Sequence, residues 1–317
     1  MTAAADTEPK RILVIKLGAL GDFVLALGPF AAIRKAHPDA HIVLLTTAPF
    51  AAFGKATGLF DEVWTDDRPR WWDVGGVLSL RRKLRSGNFA RVYDLQTSDR
   101  SGWYFRLFPK NSRPEWSGIA AGCSHPHANP LRDTMHTVER QAEQLAMAGI
   151  AETPPADLSW AWANGGGDLT QFELPERFAL LVPGGAPHRP LKRWPGDSFI
   201  ALGAEIARRG AVPVVIGGGA EENLAGAIAE GCGGISLAGR TSFADIAALA
   251  RKAAGAVGND TGPMHIVAAA GCPSVVLFSG DSDPALTAPR GASVTVLRRQ
   301  NLADLGVAEV ADALSLR

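Results

Sequence analysis

Gly258-Asn-Asp-Thr-Gly-Pro-Met-His265 is the stretch on which the fold of this chain turns. An apolar run over residues 253–257 leads into it; Ile266-Val-Ala-Ala-Ala270 and a second apolar run, Pro273-Ser-Val-Val-Leu-Phe278, follow. The order reads as strand, tight glycine-bearing turn, small-residue helix and second buried strand. The first turn of a helix leaves backbone N–H groups without intrahelical partners, and the aligned peptide dipoles add partial positive charge there. Such a turn attracts anions, phosphate above all. Asp260 and Thr261 stand at the same turn and can read hydroxyl groups beside a bound phosphate. The pattern points to a nucleotide-linked ligand such as a nucleotide sugar.

The same alternation runs upstream. Residues 178–182, 212–216 and 235–237 read as strands, each followed by a turn and a helical pattern over 196–209, 220–230 and 243–253. A last strand over 294–297 and a last helix over 307–316 close the chain. The N-terminal half repeats the rhythm: strands over 11–16, 40–46, 62–64 and 91–95, and helices over 23–37, 50–58, 77–86 and 134–149. Residues 151–174 are rich in Pro, Gly, Ala and Asp, with Pro154-Pro155 and Gly165-Gly-Gly167, and read as a linker. Strand–helix alternation implies parallel sheets with right-handed crossovers. The expectation is an α/β protein of two Rossmann-like, doubly wound domains facing each other across a cleft: 1–155, a linker over 156–175, and 176–317.

Length and composition agree with two cores: 317 residues, 46% hydrophobic and 20% charged, is a globular chain too long for one ordinary domain. A formal net charge of zero gives no case for a nucleic-acid partner. The charge is uneven, however. Residues 68–113 hold eleven Lys/Arg against three acids, Asp73, Asp94 and Asp99, which suits either an anionic partner or a solvated face. Cys123, Cys232 and Cys272 are far apart, with neither metal-ligand spacing nor a disulfide framework, as in a reducing compartment. Residues 1–10 lack a cationic start and an apolar segment, and no apolar run approaches the roughly 20 residues of a membrane span. The expectation is a cytoplasmic protein, able to touch the inner membrane peripherally.

Several residues are placed to carry chemistry. Asp22 lies where the first strand turns into the first helix, at the carboxyl edge where open parallel sheets bind ligands. It is either a general base or an N-cap of its own helix. Its turn, Gly18-Ala-Leu-Gly21-Asp22, is neither G-x-G-x-x-G nor a Walker-type loop. Pro183-Gly-Gly185 opens a loop carrying His188, Arg189, Lys192 and Arg193, which is either a diphosphate site or a solvated surface loop. Gly217-Gly218-Gly219 lets a ligand approach the backbone, with Glu221 or Glu222 accepting from ribose hydroxyls or merely suiting the helix dipole. Asp281-Ser-Asp283 invites a D-x-D metal reading, but Pro284 directly after it favours a plain turn; His125-Pro-His127 reads as a loop. Trp103-Tyr-Phe105 with Arg100, Arg106 and Lys110 is either a dock for a phospholipid or anionic glycolipid surface or a partly buried helix with a basic edge.

With these residues in view, the chain resembles the ADP-heptose:lipopolysaccharide heptosyltransferases, glycosyltransferase family 9, from about residue 11 to the last helix. Three motifs carry the resemblance: Arg11-Ile-Leu-Val-Ile-Lys-Leu-Gly-Ala-Leu-Gly21-Asp22, Lys192-Arg-Trp-Pro195, and Gly258 to His265 with Pro273 to Phe278. It implies the GT-B type of two-domain fold and an inverting transfer that needs neither metal nor cofactor. The acceptor then belongs to the N-terminal domain and the nucleotide sugar to the C-terminal one. Asp22 matches the family's base, and Lys192 its cation on the donor phosphates. Asp260 matches the acid at the donor sugar, and Thr261 and Gly262 the turn at the diphosphate. The donor set is then Gly185, His188, Lys192, Gly218, Glu222, Asp260, Thr261, Gly262 and His265; Gly21, Arg100 and Arg106 form the acceptor set. Two departures stand out. Ala186-Pro-His-Arg replaces the usual hydroxyl residue after the Pro-Gly turn, and Phe278-Ser-Gly-Asp-Ser-Asp-Pro284 replaces Phe-Gly-Pro-Thr-Asp-Pro. The expected function is transfer of a sugar, heptose from ADP-heptose, to a lipopolysaccharide inner-core acceptor. The alternatives are a nucleotide-sugar epimerase or hydrolase using His188 and His265, or a sugar-nucleotide binding protein without turnover.

Overall fold

Short runs of branched apolar side chains become parallel strands buried on both faces. Phe178–Val182 is the clearest: all five side chains are buried. The computed structural model describes residues 9–163, 168–185 and 189–317. The glycines 165–167 and His188 lie outside the described residues. The chain divides into two compact units, one made of residues up to Gly18 with Ala26–Pro155, the other of Ala19–Leu25 with Ala156–Arg317.

The elements of the first half are β1 (Arg11–Ile15), α1 (Leu20–Leu25), α2 (Leu27–Ala36), β2 (His41–Thr46), α3 (Ala48–Ala56), β3 (Glu62–Thr65), α4 (Val74–Ser86), β4 (Arg91–Asp94), α5 (Asp99–Tyr104), β5 (Glu115–Gly118), β6 (His125–Pro126) and α6 (Thr137–Met147). Its six strands form one sheet in the order β3-β2-β1-β4-β5-β6, with parallel pairing throughout. Leu13, Ile15, Val43 and Leu45 from the central strands pack with Leu80 and Leu84 of α4 and with Trp116.

The first half differs from the sequence expectation at its first helix and at its sheet edge. The helix expected over 23–37 is broken at Ala26 into α1 and α2. Pro29 has no N–H to offer the Leu25 carbonyl, and its ring crowds that carbonyl, so the first helix stops there. Two strands, β5 and β6, went unforeseen, and His125-Pro126 is a short edge strand rather than a loop. His127, just beyond it, is buried and its Nε2 meets Glu143 Oε2 at 2.7 Å.

The second half contains α7 (Trp160–Ala163), β7 (Phe178–Val182), α8 (Gly196–Arg208), β8 (Val212–Val215), α9 (Glu222–Cys232), β9 (Ile235–Ser236), α10 (Phe243–Lys252), β10 (Ala256–Asn259), α11 (Gly262–Ala269), β11 (Ser274–Phe278), α12 (Pro284–Thr287), β12 (Val294–Arg298) and α13 (Val307–Ala313). Its sheet is also six-stranded and parallel, ordered β12-β11-β10-β7-β8-β9. Leu181, Val215, Val257 and Leu277 pack on one face against Phe199, Leu202 and Ile206 of α8 and Ile228 of α9. The chain winds outward from β7 through β8 to β9, then returns to β10 on the other side of β7. The order therefore reverses between β7 and β10, and a crevice opens at the carboxyl ends of those two strands. All three cysteines are free and buried.

Candidate active site

The crevice between β7 and β10 holds a cavity of about 430 Å³, within the usual range for a small-molecule site. Val182, Gly184, Gly185, Arg189, Lys192, Gly217, Glu221, Asp260, Thr261, Gly262 and Pro263 line it. Five members of the expected donor set thus meet in one place, Gly185, Lys192, Asp260, Thr261 and Gly262, together with Arg189, Gly217 and Glu221 of the same turns.

The central contact is an ion pair. Lys192 Nζ lies 2.7 Å from Asp260 Oδ2, with the two side chains only 13% and 9% exposed. Asn259, wholly buried at the end of β10, organises the strands around this pair. Its Nδ2 donates to the carbonyls of Pro183 (2.8 Å) and Gly184 (3.2 Å), and its Oδ1 accepts from the Trp194 amide at 3.0 Å. One amide side chain thereby joins the β7 turn to the Lys192 loop. Trp194 anchors that loop: its Nε1 donates to Leu305 O at 3.0 Å and its ring packs edge-on against Phe199. Arg193 donates to the Gly185 carbonyl.

Thr261 precedes the first residue of α11 and makes no side-chain cap there. Its Oγ1 is buried and, among the described residues, has no hydrogen-bond partner. A buried hydroxyl without a partner costs stability, so a ligand that accepts its proton recovers that cost. Glu221 closes the turn after β8, its Oε2 accepting from the Gly218 amide at 2.6 Å. Gly217 and Glu221 face the cavity, whereas Gly218 and Glu222 stand outside its lining; a Cβ on Gly239 would touch the Glu222 carboxylate.

Asp22 enters through α1, whose residues are grouped with the second unit. This short helix lies against α11 so closely that only glycine fits at two points. A Cβ on Gly21 would sit 2.7 Å from His265 Cδ2 and Nε2, and one on Gly262 would sit 2.6 Å from Leu20 Cβ. Asp22, the next residue, is half-buried in the first turn of α1, inside the helix rather than at its N-cap. His265 is buried on α11.

The remaining candidates lie elsewhere. Arg100, on α5, donates from Nη1 to Pro69 O at 3.1 Å. Arg106 is exposed and lines a cavity of about 330 Å³ with Ser98, Asp99, Trp103 and Ala120. Tyr104 and Phe105 are buried, Phe105 between Trp116 and the Arg113 guanidinium, so this segment is a partly buried helix with a basic edge. Asp283 caps α12 through the Ala285 amide and pairs with Arg298 at 3.6 Å, as a plain turn would. Sequence reading assigned no role to Asn259; an amide as the last residue of a buried strand, beside two glycine turns, was the available signal.

Known proteins share this fold. A crystal structure of a family 9 glycosyl transferase from Veillonella parvula matches with a TM-score of 0.80 at 21% identity, covering 96% of this chain and 95% of that one. The Escherichia coli heptosyltransferase WaaC, solved with ADP-2-deoxy-2-fluoro heptose, matches with a TM-score of 0.74 at 20% identity, over 95% of this chain and 98% of that one. At these identities the likeness speaks for the fold. Lipopolysaccharide heptosyltransferase 3 of Escherichia coli K12 is 27% identical over 288 residues, 81% of this chain and 79% of its own. The family model described as glycosyltransferase family 9 (heptosyltransferase) matches residues 77–311. The chain belongs to glycosyltransferase family 9.

Proposed function

We propose that this glycosyltransferase moves heptose from ADP-heptose to a lipopolysaccharide inner-core acceptor, with inversion and without a metal ion. One observation carries the reading: α1, which bears Asp22, is packed on α11, the helix that opens the anion-binding turn of the Lys192–Asp260 cavity. A solved relative named for its complex with a fluorinated ADP-heptose has the same fold, which favours that donor class.

In this mechanism Asp22 takes the proton of an acceptor hydroxyl as its oxygen attacks the anomeric carbon. The C–O bond to the diphosphate breaks on the opposite face, so the configuration inverts. The bonding electrons leave with ADP. Lys192, the Thr261 hydroxyl and the amides of the α11 first turn receive the charge that develops, a fixed cradle that supplies what a metal would otherwise supply. Asp260, paired with Lys192, is placed to accept from sugar hydroxyls of the donor. Arg106, exposed at the cavity it shares with Ser98 and Asp99, suits an anionic group of the acceptor. Buried free thiols fit a reducing, cytoplasmic setting.

Asp22→Asn tests the base directly. Turnover falls by two orders of magnitude or more while ADP affinity, measured by calorimetry, stays within about threefold. Full turnover in that variant removes Asp22 from the role, and turnover abolished by EDTA and restored by Mn²⁺ refutes the metal-independent mechanism. NMR of the anomeric centre reads the stereochemistry.

A further inference from the structure

Two tryptophans stand almost bare on the surface of the first unit. Trp71 is 81% exposed and Trp72 57%; next to them Val74 is 66% exposed and Leu78 47%. Neighbouring indoles that pack edge to face, ring centroids 5.2 Å apart, and stay largely exposed form an apolar patch that an ordinary soluble surface avoids.

The patch is held in place. Asp66, buried at the base of the loop, accepts from Tyr104 Oη at 2.5 Å and from the Arg68 amide at 2.8 Å. Arg100 clamps the Pro69 carbonyl. The Asp73 and Val74 amides bond back to Arg70 and Trp72, and Asp73 caps α4 through the Gly76 amide. The exposure of the indoles is therefore a built feature of a braced loop.

The charge around the patch is just as ordered. α4 buries Leu80 and Leu84 and turns Val74, Leu78, Arg81, Arg82 and Arg85 outward at helical spacing. One stripe thus begins apolar beside the tryptophans and ends cationic. Arg68 and Arg70 are exposed on the loop itself, Arg70 lying over the Trp72 ring. Asp67 and Asp73 are the exposed acids of the segment, and Asp73 is occupied as the cap.

We propose that this face, Trp71, Trp72, Val74 and Leu78 rimmed by Arg68, Arg70, Arg81, Arg82 and Arg85, seats the protein on an anionic phospholipid bilayer. Indole rings partition to the headgroup level of a bilayer, where the ring is buried and the N–H stays wet. Arginines at the rim meet the negative surface potential of anionic lipids. A protein partner would need a complementary acidic pocket; a bilayer needs only exposed indoles beside a cationic rim, as on this braced loop. The surface expected from the sequence, Trp103-Tyr-Phe105, is largely buried and does not compete for this role.

The test uses the whole chain and vesicles free of any glycolipid acceptor, with no donor added, so its outcome is independent of the transfer mechanism. Co-sedimentation is compared on phosphatidylcholine vesicles and on vesicles containing phosphatidylglycerol. The wild type partitions onto the anionic vesicles at least about tenfold more strongly, and salt reverses the binding. Trp71→Ser with Trp72→Ser lowers that partition by about tenfold or more; Trp71→Phe with Trp72→Phe largely keeps it; Arg81→Glu with Arg82→Glu also loses about tenfold. Because these side chains are exposed, the melting temperature of each variant stays within about 2 °C of wild type. Equal sedimentation of wild type and the double Ser variant overturns the proposal. So does binding that appears only when lipopolysaccharide is added to the vesicles, which assigns the face to the acceptor. A dimer in vesicle-free solution that the double Ser variant dissociates overturns it too, in favour of a second copy.

Discussion

Replacing Gly21 by Ala moves the candidate base without touching its chemistry. The new methyl would lie 2.7 Å from two atoms of the His265 ring, where ordinary contact is 3.4–4 Å. His265 is buried and Met264 and Ile266 beside it have no exposed surface, so α11 yields little. The strain is relieved by lifting α1, and a shift of roughly 1 Å is needed. Overpacking of this kind costs about 1–3 kcal/mol. Ala in place of Gly returns up to about 1 kcal/mol through helix propensity, so the fold survives with a melting temperature lowered by a few degrees. A reacting group displaced by 1 Å loses roughly a hundredfold in rate. The expected result is therefore kcat down about a hundredfold with ADP affinity changed by less than about threefold, since the α11 turn and Lys192 stay where they are. Steady-state transfer assays give the first quantity and calorimetric titration of ADP the second. A variant with kcat within about twofold of wild type would refute the claim that the α1–α11 contact sets the position of Asp22. Loss of ADP affinity parallel to kcat would show instead that α11 moved.

Two further substitutions read the electrostatics of the two units. Thr261→Val removes a buried hydroxyl that has no hydrogen-bond partner among the described residues while keeping its shape; stability should hold or rise slightly, and ADP affinity should fall by roughly tenfold, so unchanged affinity argues against a phosphate contact there. Asp94, wholly buried at the end of β4, has its carboxyl pushed up to about 6, chiefly by burial, against the pull of the Thr97 amide, Ser101, the Gln96 amide and Lys16. Its folded pKa exceeds the unfolded one, so the native state binds more protons between about pH 4 and 6 and stability falls as pH rises through that window. The loss is on the order of 3 kcal/mol. Asp94→Asn can still accept from Gln96 and Thr97 and lacks the titration; urea unfolding should show it gaining on wild type between pH 4.5 and 7.5, and a constant difference at both pH values would contradict the assignment.

The legible part of the fold is the part governed by local rules. The run Phe178–Val182 is apolar at every position and bounded by charge and by Pro-Gly, and it is a strand over those same residues. The Asp260 turn was visible because its glycines, acid and hydroxyl sit between two apolar runs. What escaped was decided by tertiary context. Glu115-Trp-Ser-Gly118 has neither alternation nor length; it is a strand because β4 offers it a parallel edge, Val92 opposite Trp116. Glu221 rather than Glu222 faces the cavity because Gly219–Glu221 is a tight 3₁₀ turn before α9, and its last residue reaches back to Gly218. Asn259 looked like part of a turn, yet as the end of β10 its side chain bonds both flanking loops. Sequence reading assigned Trp71 and Trp72 no role, and only their exposure marks them out.

Three locally unfavourable residues explain why the first helix is built as it is. Pro29 forbids a continuous helix by leaving the Leu25 carbonyl without its donor, so the six residues of α1 are released from α2. Gly21 and Gly262 each cost helix propensity of about 1 kcal/mol relative to Ala, yet each is the one residue that admits the opposing helix, His265 against the first and Leu20 against the second. A sequence selected for helix stability alone would carry Ala at both glycines and no proline, and would lose the docking. The breaks from local rule coincide with the candidate chemistry, as expected where a site is paid for in stability. Their joint effect is that the helix bearing Asp22 is grouped with the second unit although it follows the first strand of the first. The carboxylate and the candidate anion-binding turn are thus set by one packing contact, so a substitution that loosens it is expected to change turnover before it changes nucleotide affinity.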